Sequence, residues 1–138
     1  MRSAILLASL LLGIAAVPAS TPATAADCGD ATTQAEMNAC AGAAFEAADK
    51  ELNVLYFQMR QRLAGETEAL ARLRDAQRAW VTFRDTECAF ASGGVEGGSV
   101  QPMIRLMCLE QATARRVEDF RGYLSCVEGD LSCPLPPQ

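Results

Sequence analysis

The chain has 138 residues, a formal net charge of -5 at pH 7, six cysteines and no histidine. This length fits one domain. The acidic balance argues against nucleic acid as a partner, because phosphate binding needs a concentrated positive face. The absence of histidine excludes Ser-His-Asp and Cys-His catalysis, and the sequence has no C-x-x-C pair that would indicate a zinc site.

Residues 1–26 are predicted to be a cleaved secretory signal. Arg2 gives a positive start, residues 4–17 form an apolar run, and small residues at 23–26 suit a signal peptidase. The run is too short to span a bilayer as a stop-transfer helix, and the first cysteine lacks the small preceding residue of a lipid-anchored one. We expect a periplasmic or secreted domain over residues 27–138, not membrane-anchored. Removal of Arg2 leaves 11 basic against 17 acidic residues, a net charge of -6.

Hydrophobic periodicity predicts an all-α bundle of three helices, over residues 33–64, 67–90 and 100–124. Residues 126–138 contain one glycine and three prolines and show no periodicity. We expect them to form an irregular tail that is tied back locally. The chain shows no internal repeat and no sign of a second domain.

Local signals mark the ends of these helices. Thr33 and Glu36 match a capping box, in which the two side chains satisfy backbone groups at a helix start. Gly65 is the predicted break between the first and second helices. Four glycines within residues 92–99 predict a loop before the third helix, and Ser99 is the expected N-cap of that helix.

The second helix carries the chain's only tryptophan. Helical spacing places four of its residues on one stripe, which we expect to face the core: Leu73, Ala76, Trp80 and Phe83. A second line follows the edge of this stripe: Gln77, Arg84 and Cys88. Because buried polar groups need partners, the two polar side chains are expected to pair inside the protein or to serve a partner surface.

Antiparallel folding about the predicted break would bring polar residues of the first two helices together. The spacing places Asp49 within about a turn of Arg84, which would make an ion pair. It also places Asn53 opposite Gln77 or near the Trp80 indole. We interpret these five residues as a structural polar network that fixes helix register, rather than as a partner surface.

Six cysteines in a small exported domain predict three disulfides, each contributing roughly 2–4 kcal/mol. They are Cys28, Cys40, Cys88, Cys108, Cys126 and Cys133. Hairpin spacing favours Cys40–Cys88 with Cys28–Cys108, and Cys126–Cys133 can close a local loop. The set Cys28–Cys88 with Cys40–Cys108 fits almost as well, because spacing does not fix connectivity.

Many of these residues resemble the pattern of the LprI-like lysozyme inhibitor family. The resemblance extends over most of residues 28–124, and residues 77–88 are its specific part. The matching positions are Cys28, Thr33 to Cys40, Asp49 to Asn53, Tyr56, Gln77 to Trp80, Arg84, Asp85, Cys88, Gly98, Ser99, Cys108, Thr113 and Arg116. The resemblance implies a small helical domain, secreted or periplasmic. The family's namesake inhibits lysozyme and is a lipoprotein, whereas this chain lacks the lipid-attachment cysteine.

The first functional hypothesis is an inhibitor of a peptidoglycan-cleaving muramidase, here a cationic lysozyme-type protein. Such an enzyme works with two carboxylates in an open cleft, which a rigid protrusion can fill. The candidate protrusion consists of Gly93, Gly94, Val95, Glu96, Gly97, Gly98 and Ser99. A flexible connector is the simpler interpretation of the same segment. The acidic charge of the chain would speed encounter with a cationic enzyme.

The second hypothesis is a non-inhibitory envelope binding or scaffold module, for which the same sequence would serve. Catalysis is not expected. The paired acids Glu66 and Glu68, like Asp85 and Glu87, are two residues apart on a helix and point in different directions. No catalytic residue, metal site or cofactor is predicted.

Overall fold

The computed structural model describes residues 28–127 and 129–136, so the predicted signal sequence lies outside the described residues. Three helices make up most of this part: α1 (Gln34–Arg62), α2 (Thr67–Ser92) and α3 (Gln101–Leu124). Short 3-10 helices occupy Cys28–Asp30 and Gly93–Val95, and the described residues contain no strand. The predicted all-α class is confirmed. None of the described helices combines the length and the apolar character needed to cross a membrane.

The helix ends follow the local signals with one exception. At the start of α1, the Glu36 amide donates to the Thr33 hydroxyl at 3.2 Å, and the Thr33 amide donates to the Glu36 carboxylate at 2.9 Å. Gly65 turns the chain between α1 and α2 with a φ of 95°. The expectation that Ser99 caps α3 is wrong, because Val100 is the N-cap. The Gln101 amide donates to the Gly98 carbonyl in a turn, so the helix begins one residue later than expected.

Helix α3 is the shared partner of the other two helices. It packs most closely on α1 and next on α2, whereas α1 and α2 have few close backbone contacts. Gln34 reaches Met103 at one end of α1, and Arg62 donates to the Leu124 carbonyl at the other end, so α1 and α3 run parallel. The predicted antiparallel packing of the first two helices therefore does not extend along their whole length, because α3 packs against both of them.

The apolar core lies towards the C-terminal ends of α1 and α3. Its buried members are Leu52, Met59, Leu63, Val117, Phe120 and Leu135. Leu135 belongs to the tail and is only 4% exposed. The described tail residues form no helix, as predicted, but their burial against the core was not predicted.

The buried face of α2 differs from the predicted stripe. Phe83 is 60% exposed and Ala76 is also exposed, whereas Arg84 and Cys88 are buried. The line that contains Arg84 and Cys88, which we expected at the edge of the stripe, is thus the centre of the buried face of α2. The disulfide from Cys88 to Cys108 fixes this rotation, because it ties that line to α3.

All six cysteines form disulfides, and the pairs are consecutive along the chain: Cys28–Cys40, Cys88–Cys108 and Cys126–Cys133. The local Cys126–Cys133 bridge is as predicted. Both predicted arrangements of the other four cysteines are wrong. The first 3-10 helix folds back on α1, so Cys28 meets Cys40, and Cys88 faces α3 rather than α1.

Candidate functional site

A buried guanidinium is the centre of the polar contacts between the helices. Arg84 is 8% exposed. Its Nη1 donates to Asp49 of α1 and to the Thr113 hydroxyl of α3, each at 3.3 Å, and its Nε donates to Asp85 at 2.9 Å. Arg84 therefore joins all three helices through one side chain, with charge-assisted hydrogen bonds to two of them and to its own neighbour.

Aromatic rings complete the surroundings of this group. The Arg84 guanidinium lies 5.3 Å from the centroid of the Phe45 ring and 5.1 Å from that of Trp80. Arg116 of α3 lies 5.7 Å from the Trp80 ring and 4.7 Å from the Phe120 ring. These separations are within the range of cation–π attraction. The only tryptophan thus contacts two arginines, one from its own helix and one from α3.

The predicted polar network is partly as expected. The Asp49–Arg84 ion pair is present at 3.3 Å. Asn53 does not pair with Gln77; it donates to the Asp49 carbonyl at 2.9 Å, one turn back on the same helix. Gln77 instead accepts from Arg116 at 3.4 Å. The expected pairing failed because α3, rather than α1, lies opposite this part of α2.

Thr113, Arg116 and Phe45 were not predicted as members of this cluster. Thr113 and Arg116 lie one turn apart on α3. Both belong to the family pattern, and this was the sequence signal that could have identified them as members of the cluster. Within the described part of the chain, each fully buried side-chain nitrogen or oxygen has a hydrogen-bond partner. The buried polar atoms of the cluster are therefore satisfied internally, which favours a structural role for Arg84 and Thr113.

The loop of residues 93–99 lies at the end of the bundle where α2 passes into α3. The Gly97 amide donates to the Gln101 side chain at 3.0 Å, and the Gly98 amide donates to the Val95 carbonyl at 3.0 Å. Asn38 of α1 donates to the Ser99 carbonyl at 3.1 Å. Gly97 has a φ of 76°, which favours glycine. These bonds give the loop a defined turn structure that is tied to α1.

The loop presents open backbone to its surroundings. A Cβ added at Gly93, Gly94 or Gly97 would meet nothing within 4 Å. Just before the loop, Phe90 is 82% exposed. In the last turn of α2, the buried Ser92 hydroxyl donates to the Cys88 carbonyl at 2.8 Å. Phe90 thus precedes the loop by three residues, and the Cys88–Cys108 disulfide ties the same end of α2 to α3.

This end of the bundle is acidic. Residues 28–40 and 90–105 contain three acidic side chains and one basic side chain, namely Asp30, Glu36, Glu96 and Arg105. Hydrogen bonds from the Thr33 backbone, and then from the Thr32 backbone, hold the pKa of the Glu36 carboxyl below its ordinary value of 4.5. Glu36 is therefore ionised at neutral pH. The described residues contain no group of three or more His, Cys, Asp or Glu side chains arranged to hold a metal ion.

Comparison with known proteins gives two matches. A family profile described as lysozyme inhibitor LprI matches residues 25–120. A protein of Rhizobium meliloti (strain 1021), described as uncharacterized, is 34% identical over 139 residues, which cover 93% of this chain and 99% of that relative. No solved structure gives a significant match.

Proposed function

The chain belongs to the LprI lysozyme inhibitor family, and we propose that it is an exported inhibitor of a peptidoglycan-cleaving muramidase. The match to that family carries the proposal. Three disulfides in a small domain support an oxidising compartment, such as the periplasm or the exterior of the cell. The protein acts by binding and performs no catalysis.

The loop of residues 93–99 is the proposed contact with the enzyme. A muramidase cleft is open and contains two carboxylates that flank the sugar bond. The bare backbone at Gly93 and Gly94 lets the loop approach the cleft walls closely, and Phe90 supplies an aromatic anchor beside it. Because the loop is already hydrogen-bonded within itself and to α1, little conformational entropy is lost when it binds.

Charge guides the encounter. After removal of the predicted signal the chain carries 11 basic against 17 acidic residues, whereas many lysozymes are cationic. Opposite net charges raise the association rate, and added salt lowers it. The acidic side chains around the loop therefore bring the correct end of the bundle towards a cationic enzyme.

A lysis assay tests the proposal. Purified mature protein should slow the clearing of a cell-wall suspension by a c-type lysozyme, and 0.5 M salt should weaken the effect. The substitution Gly94→Tyr adds bulk where nothing lies within 4 Å, so the fold should survive while inhibition falls at least tenfold. Gly122→Tyr is the matched control, because Gly122 is equally open but lies on α3 at the far end of the bundle.

Two results would contradict this proposal. If Gly94→Tyr inhibits as strongly as the wild type, the loop is not the contact. If the wild type does not slow lysis at micromolar excess, the protein does not inhibit that class of enzyme, and the non-inhibitory envelope binding module takes its place.

A further inference from the structure

A cavity lies at the opposite end of the bundle from the loop. It has a volume of about 490 Å³, which is within the range of small-ligand sites. Its walls come from the end of α1, the first half of α2, the end of α3 and the tail. The family match stops at residue 120, so the lining residues Tyr123, Pro134 and Leu135 lie beyond it.

The floor of the cavity is apolar and fixed in place. Met59 and Leu63 of α1 are each 2% exposed, and Leu135 of the tail is 4% exposed. Arg62 holds the tail there, since its Nη1 donates to the Leu124 carbonyl at 2.7 Å and its Nε to the Pro136 carbonyl at 3.1 Å. The Cys126–Cys133 bridge limits the conformations of the same segment.

The charged groups among the described lining residues are both arginines, Arg72 and Arg116. Arg72 pairs with Glu68 at 3.4 Å and Arg116 with Asp119 at 3.6 Å, and the Arg116 Nε also donates to Gln77 at 3.4 Å. Both carboxylates are well exposed to solvent, so these ion pairs are weak and leave guanidinium N–H groups available to a ligand. Two guanidinium groups therefore line the cavity, each beside one exposed carboxylate that a ligand carboxylate can replace.

We propose that the cavity binds a small amphipathic anion, with an apolar chain on the floor and a carboxylate against Arg116 and Arg72. A guanidinium matches a carboxylate with two parallel hydrogen bonds, and the floor removes the apolar chain from water. A neutral molecule of the same shape would leave the arginines without that partner. The proposal is independent of muramidase inhibition, since the cavity and the loop are at opposite ends of the bundle.

Decanoate and decan-1-ol are the probes, because they share an apolar chain and differ in charge. Isothermal titration of the mature protein should give saturable decanoate binding, with decanol at least tenfold weaker. The Trp80 fluorescence should change with decanoate, because the Arg116 guanidinium lies 5.7 Å from that ring. Lysis assays run on the same samples separate this site from the loop, since decanoate should leave inhibition unchanged.

Substitutions locate the site. Ala76→Phe, at an exposed position on the cavity wall, should abolish decanoate binding while the circular dichroism spectrum stays native. Arg72→Gln should weaken decanoate at least threefold and leave decanol unchanged. Arg72 is chosen because Arg116 also contacts the Trp80 and Phe120 rings, so its replacement would alter the packing as well. Arg78→Gln, an exposed arginine of α2 away from the cavity, is the control. Equal affinity for the two probes, unchanged binding by Ala76→Phe, or no saturable binding below 1 mM would each overturn the proposal.

Discussion

Replacing Arg84 with methionine should be among the most damaging single substitutions in this protein. Methionine keeps much of the unbranched stem but removes the guanidinium. The hydrogen bonds to Asp49, Thr113 and Asp85 are then lost together with the contacts to the Phe45 and Trp80 rings. The three helices lose the side chain that joins them all.

The expected loss of stability follows from the burial of the Arg84 side chain. Breaking a buried ion pair by removing one partner costs roughly 3–5 kcal/mol. Asp49 and Asp85 retain side-chain exposures of 40% and 47%, so water solvates them after the substitution and the cost lies near the lower limit. We expect a loss of about 3 kcal/mol in the free energy of unfolding, or a fall in Tm of about 15 °C for a domain of this size.

Urea unfolding followed by circular dichroism measures this loss, with the disulfides intact. A double-mutant cycle that combines Arg84→Met with Asp49→Asn isolates the ion pair, and we expect a coupling energy of about 1 kcal/mol between the two residues. Arg78→Met is the control, because Arg78 is exposed on the same helix, and it should change stability by less than about 0.5 kcal/mol. A coupling below about 0.3 kcal/mol, or equal effects of the two arginine substitutions, would refute this account of the cluster.

Two further predictions concern the helix cap and the disulfides. Because hydrogen bonds lower the pKa of Glu36 below 4.5, its stabilising effect is complete above about pH 4.5 and is lost as the pH falls through the lowered folded-state pKa. Glu36→Gln should therefore be less stable than the wild type at pH 7 and equal to it near pH 2, as measured by urea unfolding; a pH-independent difference would contradict this. Replacing Cys88 and Cys108 by alanine opens a loop of sequence separation 20, against 7 for Cys126 and Cys133. Loss of the Cys88–Cys108 bridge should lower the free energy of unfolding by about 3 kcal/mol, and loss of the Cys126–Cys133 bridge by about 1 kcal/mol less. The reverse order would count against the packing described for α2 and α3.

The sequence predicts the features of this fold that depend on residues close together along the chain. The capping box at Thr33, the turn at Gly65 and the glycine-rich loop are each encoded within a few residues, and the helix bounds follow from them and from periodicity. The Asp49–Arg84 pair was also accessible, because hairpin geometry alone brings these two positions close. The proposed roles of the loop and of the polar cluster remain predictions.

Features that depend on the position of α3 could not be predicted. Spacing about Gly65 places α2 against α1, but it carries no information on how a third helix enters between them. That helix decides which face of α2 is buried, why Phe83 points outward and why Cys88 meets Cys108. Leu135 lies in an aperiodic tail, so no pattern marks it as a core residue.

Each disulfide joins a cysteine to the next one along the chain. A protein that enters an oxidising compartment from its N-terminus can therefore complete every bridge as soon as the second cysteine arrives, before the following pair is exposed. For the proposed export route, maturation should need an oxidant but no isomerase to correct mispaired bridges. Failure to form these three bridges in cells that keep the oxidant but lack a disulfide isomerase would exclude this route.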